Sequence, residues 1–487
     1  MAARTTGGTP QWEVTFRRGT AWLVALLAFV GHCLSPRLTS GDSRWTVPVA
    51  LSLLDRYDAD LDEYRDLVRA DQYYGVECVQ QDRILQGPEI GDCRGGHIYN
   101  WYPIGVPVLA APFVAVLRWV THAASPWLRD LPMANWHPIL GAFLRGDLVG
   151  GRALAEMLVA SVFVALTTFV LYRTANLFLP SRHSAALALI FAYATPAWST
   201  ASRALYQHAP SMLMIALTVH LLAAARKSPA KASLAGLTAA IACVIRPTNV
   251  LLAVTVLAYV LHKHRDRFIA CLAWASPVAL AFVAFNLATY KALLPSYYKL
   301  RPPPLDSWEA GYKFLEALAG NLISPSRGLL VFVPIAAFSV MGAFRALRTS
   351  WLKPLPGYLI ILFLAHWLTV SRFTGYWWGG HSYGPRLLSD MTPVLIFLLI
   401  PVVAAWRQTG WKWGASQVLF AALLVISVVI HARGAFHTAV HLWNRFPVDV
   451  DLRPERVWDW SDPQFLRGWL SSPVHSVAEP PGASPAR

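Results

Sequence analysis

Residues 152–172 read RALAEMLVASVFVALTTFVLY, and beyond the flanking Arg152 the only charged side chain among them is Glu156. A helix needs about 20 predominantly apolar residues to cross the hydrocarbon core of a bilayer. The stretch therefore predicts a membrane-spanning helix. Apolar runs of similar character recur towards both ends of the chain.

The composition supports the same interpretation. The chain has 487 residues, of which 55% are hydrophobic and 14% are charged, with a mean hydropathy of +0.41. Ordinary soluble domains carry about 25% charged residues, so this chain lacks the polar surface of a soluble globule. It also does not fit a disordered chain or a disulfide-dense secreted module. The solvent for most of its length is a bilayer.

Eleven apolar runs bounded by charges predict transmembrane helices. They lie near 20–34, 152–172, 184–200, 209–225, 233–246, 248–262, 267–289, 328–344, 355–371, 391–406 and 416–432. The predicted fold class is therefore an all-α integral membrane protein with about 11 transmembrane helices.

A twelfth apolar run, 103–121, decides the orientation. If it does not cross, the connectors on the N-terminal side hold sixteen Lys and Arg side chains, with Glu13 and Asp266 as the acidic residues among them. That distribution follows the positive-inside rule, which fails repeatedly if the run does cross. We therefore expect an amphipathic or re-entrant helix at 103–121, a cytoplasmic amino terminus and an outer carboxyl terminus. The net charge of +15 then reflects topology, and we expect no nucleic-acid partner.

This orientation predicts how the chain is divided. A cytoplasmic N-terminus at 1–19 is followed by a transmembrane domain at 20–432, a C-terminal segment at 433–470 and a disordered tail at 471–487. The large outer loops within the domain are 35–151, which holds the amphipathic helices, 290–327 and 372–390. Because no comparable segment lies on the cytoplasmic side, function is expected on the outer face.

Several classes of activity lack sequence support. The chain has no GxxxxGK[ST], no GxGxxG after a predicted strand and no HExxH, which are the signatures of nucleotide, dinucleotide and zinc-protease sites. Transporters place ionisable groups at membrane depth, and few such groups occur here. A non-enzymatic lipid or polysaccharide transporter nevertheless stays open as an alternative.

The first outer loop contains two cysteines, Cys78 and Cys93, fifteen positions apart. In an oxidising compartment they are expected to form a disulfide worth about 3 kcal/mol. The alternative is two unpaired thiols in a mobile loop.

Asp42 follows the first predicted helix directly, in SGDSRW. Such a residue, or the neighbouring Ser43, commonly caps a helix, whereas a carboxylate at this depth can also serve as general base for a hydroxyl.

An acidic run follows, and no spacing in it matches a calcium loop, so a solvated surface is expected there and no metal site. Its members are Asp55, Asp58, Asp60, Asp62, Glu63 and Asp66.

Aromatic and basic residues mark the outer face further along. In YNWYPIG, Tyr99 and Tyr102 suit either an interfacial aromatic belt or a platform for a sugar ring. In WWGGHSYGPR, Trp378, His381 and Arg386 crowd together, where glycines allow close backbone approach and arginine can bind phosphate oxygens. Arg327 in SPSRG is expected either to bind phosphate or to snorkel to the interface.

These motifs together resemble the GT-C superfamily of polytopic glycosyltransferases, which includes bacterial aminoarabinose and protein O-mannosyl transferases. The matching stretches run from about residue 20 to 470 and include GDSRWTVPVALSLL, YNWYPIGVPVLAAPF, TPAWSTASRALYQH, IRPTN, SPSRGLLVFVP, WWGGHSYGPRLLSDMTPVL and RVWDWSDPQFLRG. Many members carry paired acidic residues in the first loop, but here Ser43 follows Asp42.

The resemblance implies a transferase that uses a polyprenyl-phosphate sugar as donor and a glycan, lipid or protein hydroxyl as acceptor, with no cofactor. Asp42 would be the general base of an inverting reaction, and Arg386, Arg327 and His381 would bind the donor phosphate. Tyr99, Tyr102, Trp378 and His208 would contact sugar or acceptor. The enzyme would lie in a bacterial inner membrane and face the periplasm. A polysaccharide polymerase or ligase is the enzymatic alternative.

Overall fold

The structure of the chain is a computed structural model. It describes residues 11–39, 41–80, 83–349, 353–408 and 414–469, with the backbone alone for 11–18. The expected disordered tail at 471–487 and the first ten residues of the expected cytoplasmic N-terminus lie outside the described residues.

The described chain is a helical membrane protein, as the sequence predicts. Its helices are α1 Gln11–Cys33, α2 Thr46–Asp55, α3 Arg65–Ala70, α4 Gly105–Leu128, α5 Pro138–Leu144, α6 Arg152–Ala175, α7 Ser181–Tyr193, α8 His208–Ala224, α9 Ala230–Ile245, α10 Val250–Lys263, α11 Phe268–Tyr290, α12 Trp308–Ile323, α13 Leu329–Phe332, α14 Ala336–Arg348, α15 Leu355–Ser371, α16 Thr392–Gln408, α17 Ala415–Phe436 and α18 Ala439–Leu442. Each of the eleven predicted apolar runs falls on helical structure, although the run at 328–344 is divided between α13 and α14.

Five helical stretches of the described chain are long and apolar enough to cross a membrane. They are Gly105–Leu128, Arg152–Ala175, Arg265–Tyr290, Arg386–Gln408 and Ala415–Phe436. Six further apolar helices are shorter. The class of fold is therefore confirmed, whereas the number of eleven spans and the outer-face position of 103–121, now part of α4, stay predictions.

The helical core is built around α16, which packs against α14, α7 and α8. Its residues from Thr392 to Val403 are all buried, as expected of a helix that is apolar around its whole circumference. In contrast, α11 is equally apolar but has only two buried residues, Cys271 and Asn286. Its surface is therefore suited to contact with lipid.

The first outer loop contains a small antiparallel sheet that the sequence did not predict. Its strands are β1 Val76–Val79, β2 Ile84–Gln86 and β3 His97–Asn100, in the order β2-β1-β3. Cys78 on β1 is joined to Cys93 by a disulfide. The sheet and the disulfide pack with Trp45 and Leu61 in a core separate from that of the helices. The loop is thus a compact cap on the helical domain.

The segment after α17 folds back onto the loop at 372–390. Trp443, Val450 and Val457 pack against Trp377 and Trp378 in a third apolar cluster. The loop that carries the predicted Trp, His and Arg residues is therefore held from both sides, by the helices and by the C-terminal segment.

The disulfide predicts a specific alkylation pattern. The chain has five cysteines, and Cys33, Cys243 and Cys271 are free. Under denaturing conditions without reductant, a maleimide-polyethylene glycol should therefore add three labels, and after reduction it should add five. Replacing both Cys78 and Cys93 by Ser should give three labels in each condition. Five labels before reduction would contradict the disulfide.

Candidate active site

A cavity of about 440 Å³ lies where the first outer loop meets the ends of several helices. Asp42 reaches it from the turn before α2, and His208 from the first position of α8. Arg246, which follows α9, and Arg386, in the short 3₁₀ segment before α16, also line it. The cavity thus collects one carboxylate, one imidazole and two guanidinium groups from distant parts of the sequence.

Asp42 is held by hydrogen bonds from Tyr74 and Arg386, among others. The hydroxyl of Tyr74 donates to its Oδ1 at 2.7 Å, and the Nη2 of Arg386 donates to its Oδ2. Neither Asp42 nor Ser43 caps α2, because the N-cap residue is Trp45 and no side chain bonds to the helix start. The hydroxyl of Ser43 donates instead to Glu156 of α6. The carboxylate of Asp42 therefore faces the cavity.

The surroundings of Asp42 keep it ionised. Burial on its own would raise the pKa of this carboxyl, but the charge of Arg386 and hydrogen bonds from Arg386, Tyr74 and Tyr102 outweigh burial and lower the pKa to about 2. A carboxylate paired in this way is a weak base. Its basicity depends on whether Arg386 stays beside it.

Arg386 also connects the cavity to a buried polar network. Its Nε donates to Nε2 of His208 at 3.2 Å, so Nδ1 of His208 carries the proton and donates to Oδ1 of Asp390 at 2.7 Å. Arg246 donates to Oδ2 of Asp390. The carboxylates of Asp42 and Asp390 and the two arginines balance in charge, which offsets the cost of placing Asp390 and Arg246 away from water.

Aromatic side chains form another wall of the cavity. The ring of Tyr102 lies 5.4 Å from that of Trp101 and 5.7 Å from that of Tyr297, measured between centroids. The guanidinium of Arg386 lies over the ring of Tyr206 at 4.6 Å. Burial and the charge of Asp42 raise the pKa of Tyr102, so its hydroxyl stays protonated and can donate.

The structure brings four of the predicted site residues to this cavity: Asp42, Arg386, His208 and Tyr102. The predicted platform residue Tyr99 lies outside the lining and packs on Tyr290 with 5.8 Å between ring centroids.

The other three predicted residues, Arg327, Trp378 and His381, also lie outside the cavity lining. Arg327 is fully buried, and it donates to the carbonyl oxygens of Trp378 and Gly380. The indole of Trp378 donates to Asp451, and His381 pairs with Asp449 at 2.8 Å. These contacts fix the loop at 372–390 to the C-terminal segment and leave these side chains no direct contact with the cavity.

Sequence reasoning missed four side chains of the site and its network: Tyr74, Tyr206, Arg246 and Asp390. Tyr206 stands two positions before His208, and Arg246 and Asp390 occur in the motifs IRPTN and RLLSDMTP. The motifs were visible, but the pairing of Arg246 with Asp390 joins positions 144 apart in the chain. Local patterns do not reveal such a contact.

Two groups of described residues have the geometry to hold a metal ion. They are Asp60, Asp62 and His97 in the first loop, and His381, Asp449 and Asp451 at the C-terminal segment. Neither group lines the cavity.

A second cavity of about 380 Å³ adjoins the first. Both are lined by Arg246, Tyr297, Leu300, Tyr376 and Leu387. The second cavity continues along Val370 and Phe373, at the end of α15, and past Arg301. It is therefore a largely apolar extension whose inner end carries a guanidinium group.

Comparison with protein families identifies the type of domain. Residues 126–289 match the family model for dolichyl-phosphate-mannose-protein mannosyltransferases, a GT-C-type glycosyltransferase domain. The resemblance predicted from the sequence is thereby confirmed for this segment. The matched segment includes His208 and Arg246, whereas Asp42 and Arg386 lie outside it. Neither the curated proteins nor the solved structures gave a match.

The pairing of Asp42 predicts how this carboxyl titrates. In the wild-type protein it should stay ionised at pH 4, because its pKa lies near 2 and below the ordinary 3.8. The stability that the pairing contributes is present above pH 3.8 and is lost as the pH falls towards 2. The variant Arg386→Gln lacks the positive charge that counteracts burial, so the pKa of Asp42 should rise in it.

Difference infrared spectroscopy measures this titration, with Asp42→Asn used to assign the carboxylate band. A band in the wild-type protein that titrates at or above pH 4, or one that Arg386→Gln does not move, would contradict the assigned pairing.

Proposed function

We propose that the chain is a membrane glycosyltransferase that moves a sugar from a polyprenyl-phosphate donor to an acceptor hydroxyl, and the GT-C-type match of residues 126–289 supports this proposal. The observation that carries the proposal is the cavity in which the carboxylate of Asp42 faces the guanidinium of Arg386. A base and a phosphate-binding cation side by side are what such a transfer needs. On the predicted orientation, the reaction takes place on the periplasmic side of a bacterial inner membrane.

The lining of the two cavities favours a donor sugar that is linked to a lipid. A donor phosphate in the first cavity would lie between Arg246 and Arg386, and arginine binds phosphate oxygens through a planar fork of N–H groups. The apolar extension past Val370 and Phe373 would take the first prenyl units. A donor carried by lipid also suits an outward-facing enzyme, because nucleotide sugars stay in the cytoplasm.

The pairing of Asp42 suggests how the base is activated. An incoming phosphate would compete with Asp42 for the N–H groups of Arg386. As that contact weakens, burial becomes the dominant influence on Asp42 and its pKa rises. Asp42 would thus become basic enough to take a proton only when the donor is bound. In the empty site its low pKa keeps it from taking up a proton.

The transfer step then follows from these positions. Asp42 takes the proton of the acceptor hydroxyl, whose oxygen attacks the anomeric carbon of the donor. The bond from that carbon to the phosphate oxygen breaks, and the configuration inverts. Arg386 and Arg246 stabilise the negative charge that grows on the departing polyprenyl phosphate.

His208 is best described as a positioning residue. Its Nε2 accepts from Nε of Arg386, and its Nδ1 is fixed by Asp390. The imidazole therefore orients the guanidinium plane while leaving the Nη groups of Arg386 free to face Asp42 or a phosphate. The neutral tautomer adds no charge of its own to the cavity.

The proposal predicts the effect of Asp42→Asn on the purified enzyme in lipid nanodiscs. The amide keeps the shape of the side chain but cannot take a proton, so transfer should fall by about 10²–10⁴-fold. Donor binding should persist, because the phosphate contacts are arginines. Transfer is measured with a radiolabelled sugar on polyprenyl phosphate, and binding by co-purification of that lipid.

The matched control is Asp92→Asn, since Asp92 is an exposed residue of the same outer loop outside the cavity. It should transfer at the wild-type rate. A folded Asp42→Asn protein with undiminished transfer would rule out Asp42 as the base.

A further inference from the structure

A groove of about 550 Å³ adjoins the first cavity, within the predicted outer loop at 35–151. Tyr74, Gly75 and Trp101 line both spaces. Beyond them the groove runs between the turn at 71–73 and the end of β2, where Gln86 and Gly87 form its far wall. Among the described residues that line it, Val76 is the only aliphatic one.

We propose that this groove binds the acceptor and that the acceptor is a neutral saccharide. The inference rests on the proposed function and deepens it, because it assigns both a site and a chemical class to the second substrate.

The groove leads to the base. Tyr74 forms part of the groove wall, and its hydroxyl donates to Oδ1 of Asp42 at 2.7 Å. An acceptor lying along Tyr74 would therefore bring a hydroxyl next to the carboxylate. The apolar cavity lies on the other side, beyond Tyr297 and Tyr376. One catalytic cavity thus has a polar opening and an apolar opening, which suits two substrates of opposite character.

The charged side chains that line the groove are engaged in ion pairs. Arg44 lies 3.4 Å from Asp71, and Arg152, outside the groove, donates to the same carboxylate at 2.7 Å. The guanidinium of Arg44 also covers the ring of Tyr74 at 4.9 Å. Arg44 and Asp71, the two charged side chains among the described residues that line the groove, are both engaged in ion pairs, so the wall offers hydrogen-bond donors and acceptors but no unpaired guanidinium for a phosphate. This favours a neutral polyol over a phosphorylated one.

The remaining side chains suit a sugar better than a peptide. Gln72 and Gln86 offer amide groups that can both donate and accept, and Tyr73 and Trp101 offer aromatic surface for the apolar face of a ring. A peptide acceptor would need pockets for its apolar side chains, and Val76 alone provides such surface. We therefore infer saccharide recognition.

Saturation-transfer difference NMR on the protein in nanodiscs tests the inference without requiring turnover. The probes are neutral trisaccharides of glucose, mannose, galactose and arabinose, together with a peptide rich in Ser and Thr. At least one trisaccharide should bind to the wild-type protein. Gln86→Ala should weaken that binding about fivefold, the effect of one lost hydrogen bond.

A second variant keeps the test independent of Gln86, whose amide also donates to Glu77 at 3.3 Å. Gly87 has a φ of +59°, and nothing lies within 4 Å of an added Cβ. Gly87→Asn is tolerated at such a φ and places a side chain in the groove, so it should weaken binding as well. The matched control is Gln80→Ala, because Gln80 lies beside the same hairpin but outside the groove.

The outcomes separate this inference from the proposed function. Trisaccharide binding that is weakened in Gln86→Ala and Gly87→Asn but unchanged in Gln80→Ala and Asp42→Asn supports the groove. Binding that no groove variant changes, binding of the peptide alone, or no binding by any trisaccharide overturns it. If the groove binds saccharide but Asp42→Asn transfers sugar normally, the proposed chemistry fails while the groove stands.

Discussion

The contact between Asp42 and Arg386 is the constraint on which the site depends. The two residues are 344 positions apart, one in the turn before α2 and the other at the start of the 3₁₀ segment before α16. Both side chains are only partly exposed to water, and such an ion pair is costly unless both charges have further partners. Tyr74 supplies one for Asp42 and His208 supplies one for Arg386. The first loop, the start of α8 and the loop before α16 must therefore fit together for the pair to form.

The loop before α16 is kept in place by a second buried arginine. Arg327 donates to Gln464 at 2.7 Å and to Asn444 at 2.8 Å, in addition to the two carbonyl groups of the loop. All of these acceptors are neutral, and together the contacts link the loop to the C-terminal segment through Arg327. The sequence suggested that the positive charge of Arg327 binds phosphate. In the structure, Arg327 instead holds the loop that carries Arg386. Two arginines of similar sequence context have different roles because one faces a cavity and the other faces protein.

Sequence patterns predicted the helices well because apolar runs bounded by charges depend on the bilayer and hardly on tertiary contacts. They also selected Asp42, Arg386 and Tyr102, since unusual residues beside a membrane stand out, whereas His208 was selected through the resemblance to the GT-C superfamily. The small sheet was missed because its strands are short and do not alternate clearly. The partnership of Asp390 with His208 was missed because it joins separate helices, and only the folded chain brings them together.

The most direct test of the account is mass spectrometry of the lipid extract from cells that carry either the wild-type protein or Asp42→Asn. If Asp42 is the base that consumes a lipid-linked donor, a polyprenyl-monophosphate sugar should accumulate only in the mutant, and its mass would identify the sugar. An unchanged lipid pool, with the mutant protein folded in the membrane, would contradict the central claim.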